Sequence, residues 1–163
     1  MDKSIKNGII GFVVGDVLGV PVEFMAREEL RKNPVVDLRA YGTHNQPLGS
    51  WSDDTSMTLA TMDSIIHKEK IDTTDMGNRF LNWYKKSEYT PRGKVFDIGR
   101  TTIQALTKYE LKLDEAKNCG EEDEYSMQLV SFSLMNHFHY YIHLLLHNSL
   151  LHLILIHILL MLV

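Results

Sequence analysis

Every charged residue of this chain lies at or before Glu124: 17 basic and 21 acidic side chains precede that point, and none follows it. The segment Met127 to Val163 is built instead from Leu, Ile, His, Tyr, Phe and Ser, and it carries six of the eight histidines. Such a segment cannot furnish a water-facing surface in the way the preceding residues can, because a soluble domain spends its charged side chains there. The chain therefore divides into a helical region, 1–124, and an apolar His/Leu-rich tail, 125–163. A length of 163 residues suffices for one domain with its own core. The net charge of −4 offers no basic field for nucleic acid, which is excluded as a partner. The single cysteine, Cys119, has no intrachain partner and no neighbouring histidine, and is expected to be inert in a reducing compartment.

Helical periodicity organises the first region. From Ile5 to Val20 the apolar residues recur with helical spacing, and Gly11, Gly15 and Gly19 fall on one face. Glycine within a helix costs about 0.5–1 kcal/mol relative to alanine, so three on one stripe predict close approach by another helix. Lys3 and Lys6 before an apolar run superficially resemble a secretory leader, but Asp16 interrupts it. The expectation is a buried first helix of a cytoplasmic protein. Asp16 itself is expected to cap or pair within those first turns. Pro21 stops the helix, and Glu23 follows as a lone carboxylate in an apolar stretch.

Residues 25–50, punctuated by Pro34, Gly42, Pro47 and Gly49, are expected to cross the surface with little regular structure. Ser52-Asp53-Asp54-Thr55 then opens a helix near Asp53. Two more helices are predicted, from about Asp75 to Lys85 with Met76, Phe80, Leu81 and Tyr84 inward, and from about Thr101 to Tyr109. No alternating strand pattern occurs before residue 125, and the fold class is all-α. At a helix mouth the chain is not yet wound, so Asp53 and Asp54 can face one ion together. Carboxylates and hydroxyls suit hard cations such as Mg²⁺ or Mn²⁺, although S-D-D-T taken alone is more often an N-cap.

Three segments in order and spacing raise that motif above a cap: Gly15-Asp16-Val17-Leu18-Gly19-Val20-Pro21-Val22-Glu23-Phe24, Gly49-Ser50-Trp51-Ser52-Asp53-Asp54-Thr55-Ser56-Met57-Thr58-Leu59, and Phe96-Asp97-Ile98-Gly99-Arg100-Thr101-Thr102. Together they resemble the ADP-ribosylglycohydrolase family over about residues 5 to 118. The resemblance implies the amino-terminal part of that family's all-α fold, followed here by an atypical apolar carboxyl-terminal tail. It implies that Ser52, Asp53 and Asp54 are ligands of a dinuclear Mg²⁺ or Mn²⁺ centre. Glu23 and Asp54 take catalytic roles by the same resemblance, and Asp97 and Gly99 line the substrate cleft. For Asp97 a helix cap is an equal alternative. The implied activity is hydrolysis that frees ADP-ribose from a modified side chain or acceptor, so the implied partner is an ADP-ribosylated protein or an ADP-ribose conjugate.

The family's remaining ligands come from an Asp-rich, Thr-containing motif near its carboxyl end, and nothing like it follows Asp123. The chain is therefore expected to be catalytically inactive. A non-catalytic ADP-ribose-binding or structural protein and a membrane-tethered fragment are the alternatives. For the tail three readings stand open: a frameshift, a membrane segment over 144–163 as the sole membrane contact, and a histidine metal site at His139, His143 and His147.

Overall fold

A computed structural model describes residues 3–112 together with Asn118 and Cys119. All three readings of the tail fall outside these residues. The described part is all-α: α1 (Lys3–Gly19), a 3-10 turn (Val20–Val22), α2 (Arg27–Lys32), a second 3-10 turn (Gly42–His44), α3 (Asp53–Lys68), α4 (Thr73–Lys86) and α5 (Arg100–Glu110). No helix among the described residues is long and apolar enough to cross a membrane.

Helices α3, α4 and α5 pack together, and their apolar stripes make the main core. Met57, Ala60 and Ile65 of α3 meet Met76, Phe80 and Trp83 of α4 and Leu106 of α5. On α4 these three residues fall at i, i+4 and i+7, a single helical face. Phe80, as expected, and Trp83, which the spacing had not singled out, are the deeply buried aromatics of α4, while Leu81 and Tyr84 pack at the margin of the cluster. A smaller cluster of Val17, Trp51 and Leu59 joins α1 to α3.

Helix ends are fixed by side chains where the sequence supplies them. Asp72 accepts the Asp75 amide at 3.0 Å, which starts α4 at Thr73, two residues earlier than the periodicity implied. Replacing Asp72 by alanine is expected to lower the denaturant-unfolding midpoint, and an unchanged midpoint would refute the cap. Both α3 and α4 end on a residue in the left-handed region, Glu69 at φ 52° and Ser87 at φ 61°, whose amides return to Ile65 and Trp83.

Beneath the α3–α4 contact lies one polar network. Arg79 donates to Asp75 at 2.6 Å, to Asp63 across the helix pair and to the Tyr89 hydroxyl at 3.0 Å, and that hydroxyl donates to Asp63 at 2.6 Å. Burial and the bond to Asp63 push the Tyr89 phenol up to about 12.

The first helix departs from expectation. Its glycines 11, 15 and 19 meet no other atom within 4 Å of a built Cβ, and Ile10, Phe12 and Val14 are exposed. Among the described residues, then, α1 is buried only toward its end, at Val17, and nothing approaches its glycine stripe. Asp16 does not cap its own helix; it reaches 36 residues along the chain to the mouth of α3.

Candidate functional site

The mouth of α3 carries two layers of capping. Ser52 is the N-cap, its hydroxyl accepting the Asp54 amide at 3.2 Å. Asp16 adds a second carboxylate, taking the Ser52 amide at 3.0 Å and the Thr55 amide at 3.2 Å. These bonds satisfy amides that a helix start leaves orphaned. With the Ser52, Asp54 and Thr55 amides served by other side chains, the Asp54 carboxylate is not needed as a cap, while that of Asp53 accepts its own amide. A hydroxyl oxygen has two lone pairs, so capping leaves Ser52 a second acceptor site.

Asp53 is buried at 8% exposure, and burial together with the charges of Asp54 and Asp97 pushes its carboxyl up to about 7. The Gly99 amide donates to it and opposes that shift. Asp54 lies on the outer side of the turn, yet partial desolvation by the surrounding protein, followed by Asp16 and Asp97, raises it as well. Gly99 is the N-cap residue of α5, which explains how its amide reaches this point. The N-cap position of α5 is taken by Gly99 and not by Asp97, which stands at φ 49° two residues before that cap, beside the other carboxylates.

Glu23 follows the first 3-10 turn and meets Asp97 through a residue the sequence had not singled out. His44 Nε2 lies 2.5 Å from Glu23 Oε2 and 3.4 Å from Asp97 Oδ2. Its ring stands between Phe24, at 6.0 Å, and Phe96, at 5.7 Å, each adjacent in sequence to one of the two carboxylates. Burial, then Asp97, raises Glu23 above the usual carboxylate range against the opposing pull of His44.

The loop that delivers His44 does not simply cross the surface. Tyr41 and Gln46 pair in an isolated antiparallel bridge, and the Thr43 hydroxyl donates to the Glu23 carbonyl at 2.7 Å. Gly42, at φ +56°, sits so close to the Pro21 backbone that a Cβ would lie 2.0 Å from its carbonyl oxygen. Only glycine permits that approach. The one sequence signal for His44 was its place in Tyr41-Gly42-Thr43-His44-Asn45-Gln46-Pro47, a tight turn between Gly42 and Pro47.

Of the expected site residues, Ser52, Asp53 and Asp54 form the mouth of α3, the Gly99 amide donates to Asp53, and Asp97 is close enough to raise both aspartates, while Glu23 joins this group through His44 and Asp97. Among the described residues no lysine or arginine forms an ion pair with Glu23, Asp53, Asp54 or Asp97. An all-oxygen set of two carboxylates and a hydroxyl, without a cationic side chain to neutralise it, fits a hard divalent cation.

The sequence profile of the ADP-ribosylglycohydrolase family matches residues 2–138. An ADP-ribosylarginine hydrolase Tri1 of Serratia proteamaculans is 36% identical over 109 residues, 67% of this chain and 29% of that protein. The Tri1 of Pseudomonas putida is 34% identical over 106 residues, 65% of this chain and 28% of that protein. An ADP-ribosyl-[dinitrogen reductase] glycohydrolase of Rhodospirillum rubrum is 30% identical over 112 residues, 63% of this chain and 33% of that protein. The matched part spans about a third or less of each of these relatives.

Proposed function

The chain belongs to the ADP-ribosylglycohydrolase family, and from that premise we propose that the mouth of α3 is the amino-terminal part of a metal-dependent centre for hydrolysing ADP-ribosyl bonds. Ser52, Asp53 and Asp54 are the ligands on this side, and Mg²⁺ or Mn²⁺ suits them. When bound, such a cation supplies Lewis-acid and templating chemistry at ribose oxygens. Glu23 and Asp54 handle protons at the bond being cleaved, as paired carboxylates do in glycoside hydrolysis. Asp97 and the Gly99 turn shape the cleft that receives ADP-ribose. The relatives named for ADP-ribosylarginine and dinitrogen reductase make an ADP-ribosylated protein the first substrate class to test, with arginine linkage ahead of others. A cytoplasmic location belongs to the same proposal.

The observation that carries this reading is the convergence of Glu23, Asp53, Asp54 and Asp97 with no lysine or arginine paired to them among the described residues. The decisive experiment is a chimera in which residues 1–112 replace the matching segment of the Serratia relative. Release of ADP-ribose from a modified arginine substrate with Mn²⁺ is expected, and loss of that release in Asp54→Ala. A folded chimera with no release overturns the reading.

The 163-residue chain tested alone is expected to release none, because no Asp-rich, Thr-containing motif follows Asp123. Release by this chain would show its own residues to be sufficient. Binding of ADP-ribose without release by this chain, combined with an inactive chimera, is the signature of the second reading, a non-catalytic ADP-ribose-binding protein.

A further inference from the structure

We propose that Phe24 sets the acceptor specificity of the site, its aromatic face taking the guanidinium of an ADP-ribosylated arginine while Glu23 faces the same charge. The inference rests on the proposed function and deepens it. Phe24 is 81% exposed, although a phenylalanine side chain is ordinarily buried. Its backbone stands at φ 61°, a left-handed conformation that bulky residues rarely adopt and that costs free energy. The fold thus holds this ring in water at a cost that its own packing does not offset. Such a conformation persists where the surroundings over-determine it, and both chain neighbours are pinned. The Thr43 hydroxyl donates to the Glu23 carbonyl at 2.7 Å, and the Met25 amide donates to the Val22 carbonyl at 3.1 Å. The ring itself meets the His44 ring at 6.0 Å between centroids, inclined by 61°.

The chemistry of hydrolysis places the acceptor here. In an arginine-linked substrate the bond from the anomeric carbon to a guanidine nitrogen breaks with its electron pair on nitrogen. The oxygen of water bonds to that carbon, and the proton that water releases ends on the departing guanidine. The proposed function gives the protons to Glu23 and Asp54, so the departing group stands beside them. Glu23 and Phe24 both touch one imidazole, Glu23 Oε2 lying 2.5 Å from His44 Nε2, so a planar cation can meet the carboxylate and the ring together. A cation within about 6 Å of a ring centroid is attracted by the ring's quadrupole, and the flat guanidinium can also stack on it. Among the described residues no lysine or arginine forms an ion pair with Glu23 or Asp97, so the positive charge of the acceptor meets no internal rival. A serine-linked acceptor carries no charge and gains neither contact.

The test is binding of two peptides of one sequence, one ADP-ribosylated on arginine and one on serine, to the full chain with Mn²⁺. Kinetics of the chimera described above on the same pair accompany it. The full chain is expected to bind the arginine-linked peptide about two- to fivefold more tightly than the serine-linked one. Phe24→Leu, which keeps an apolar side chain but no aromatic face, should abolish that preference, and Phe24→Trp should keep it. Free ADP-ribose, which lacks the acceptor, should bind wild type and Phe24→Leu equally. In the chimera Phe24→Leu should raise KM for the arginine-linked substrate by the same factor and leave kcat unchanged. An inactive chimera removes the proposed function, and binding by the full chain then decides the inference by itself. A change in Phe24→Leu that is equal for both linkages, or that extends to free ADP-ribose, overturns it. So does the absence of a preference for arginine linkage in both proteins.

Discussion

Asparagine in place of Asp53 is expected to make the metal-free protein harder to unfold at pH 7.5 while weakening Mn²⁺ binding tenfold or more. The Asp53 carboxyl is raised from 3.8 to about 7, by burial first and by Asp54 and Asp97 next. The fold therefore takes up a proton at this site between about pH 4 and 7. A raised acid contributes its stability fully below the unfolded-state value and loses it as pH climbs through the folded-state value. Above pH 7 the native state must hold an ionised, desolvated carboxylate beside two others. A shift of about three units corresponds to about 4 kcal/mol, an upper bound, and about 2–4 kcal/mol is expected. Asparagine carries no charge and can still accept from Gly99, so its melting temperature should lose the downward slope between pH 5 and 7.5. Parallel melting curves for the two proteins across that range would sink the prediction.

Methionine in place of Arg79 is expected to destabilise the protein by about 2 kcal/mol, because it removes the guanidinium shared by Asp63 and Asp75 and leaves Asp75 with Lys68 at 3.5 Å and Asp63 with His67 and the Tyr89 hydroxyl. Their side chains are only 15% and 20% exposed, so water can compensate little. Lysine is no rescue, since one ammonium cannot reproduce the fork that reaches Asp75, Asp63 and Tyr89 at once. Adding Asp63→Asn to Arg79→Met should recover part of the loss, as removing both charges costs less than stranding one. Urea unfolding of the four proteins measures the cycle. A loss below about 1 kcal/mol for Arg79→Met would mean the network is a solvated surface arrangement.

The parts of this architecture that were legible in the sequence are local ones. The start of α3 followed from Ser52 and the two aspartates, and the burial of Met76 and Phe80 followed from helical spacing. Leu81 and Tyr84 also pack against the core as expected, but Trp83, which the sequence reading left out, is buried more deeply, at i+7 from Met76 on the face that meets α3 and α5. What stayed hidden depends on long-range encounters. His44 meets Glu23 across 21 positions and Asp97 across a longer stretch that contains α3 and α4, through a turn whose docking on Pro21 no local pattern encodes. Asp16 was expected to serve its own helix, but residues adjacent in sequence offered it no unpaired amides, whereas the mouth of α3 did. The glycine stripe of α1 predicted a close neighbour, and among the described residues that face is open.

Asp16 also couples two processes that are usually described separately. It belongs to α1 but holds the Ser52 and Thr55 amides, so docking of the first helix and formation of the segment bearing Asp53 and Asp54 favour one another. Under the proposed function, a cation that binds only when both are in place favours the docked helix, at a hundredfold excess over its dissociation constant by about 2.7 kcal/mol. The concentration of free divalent ion would then set how much of the chain's amino terminus is docked.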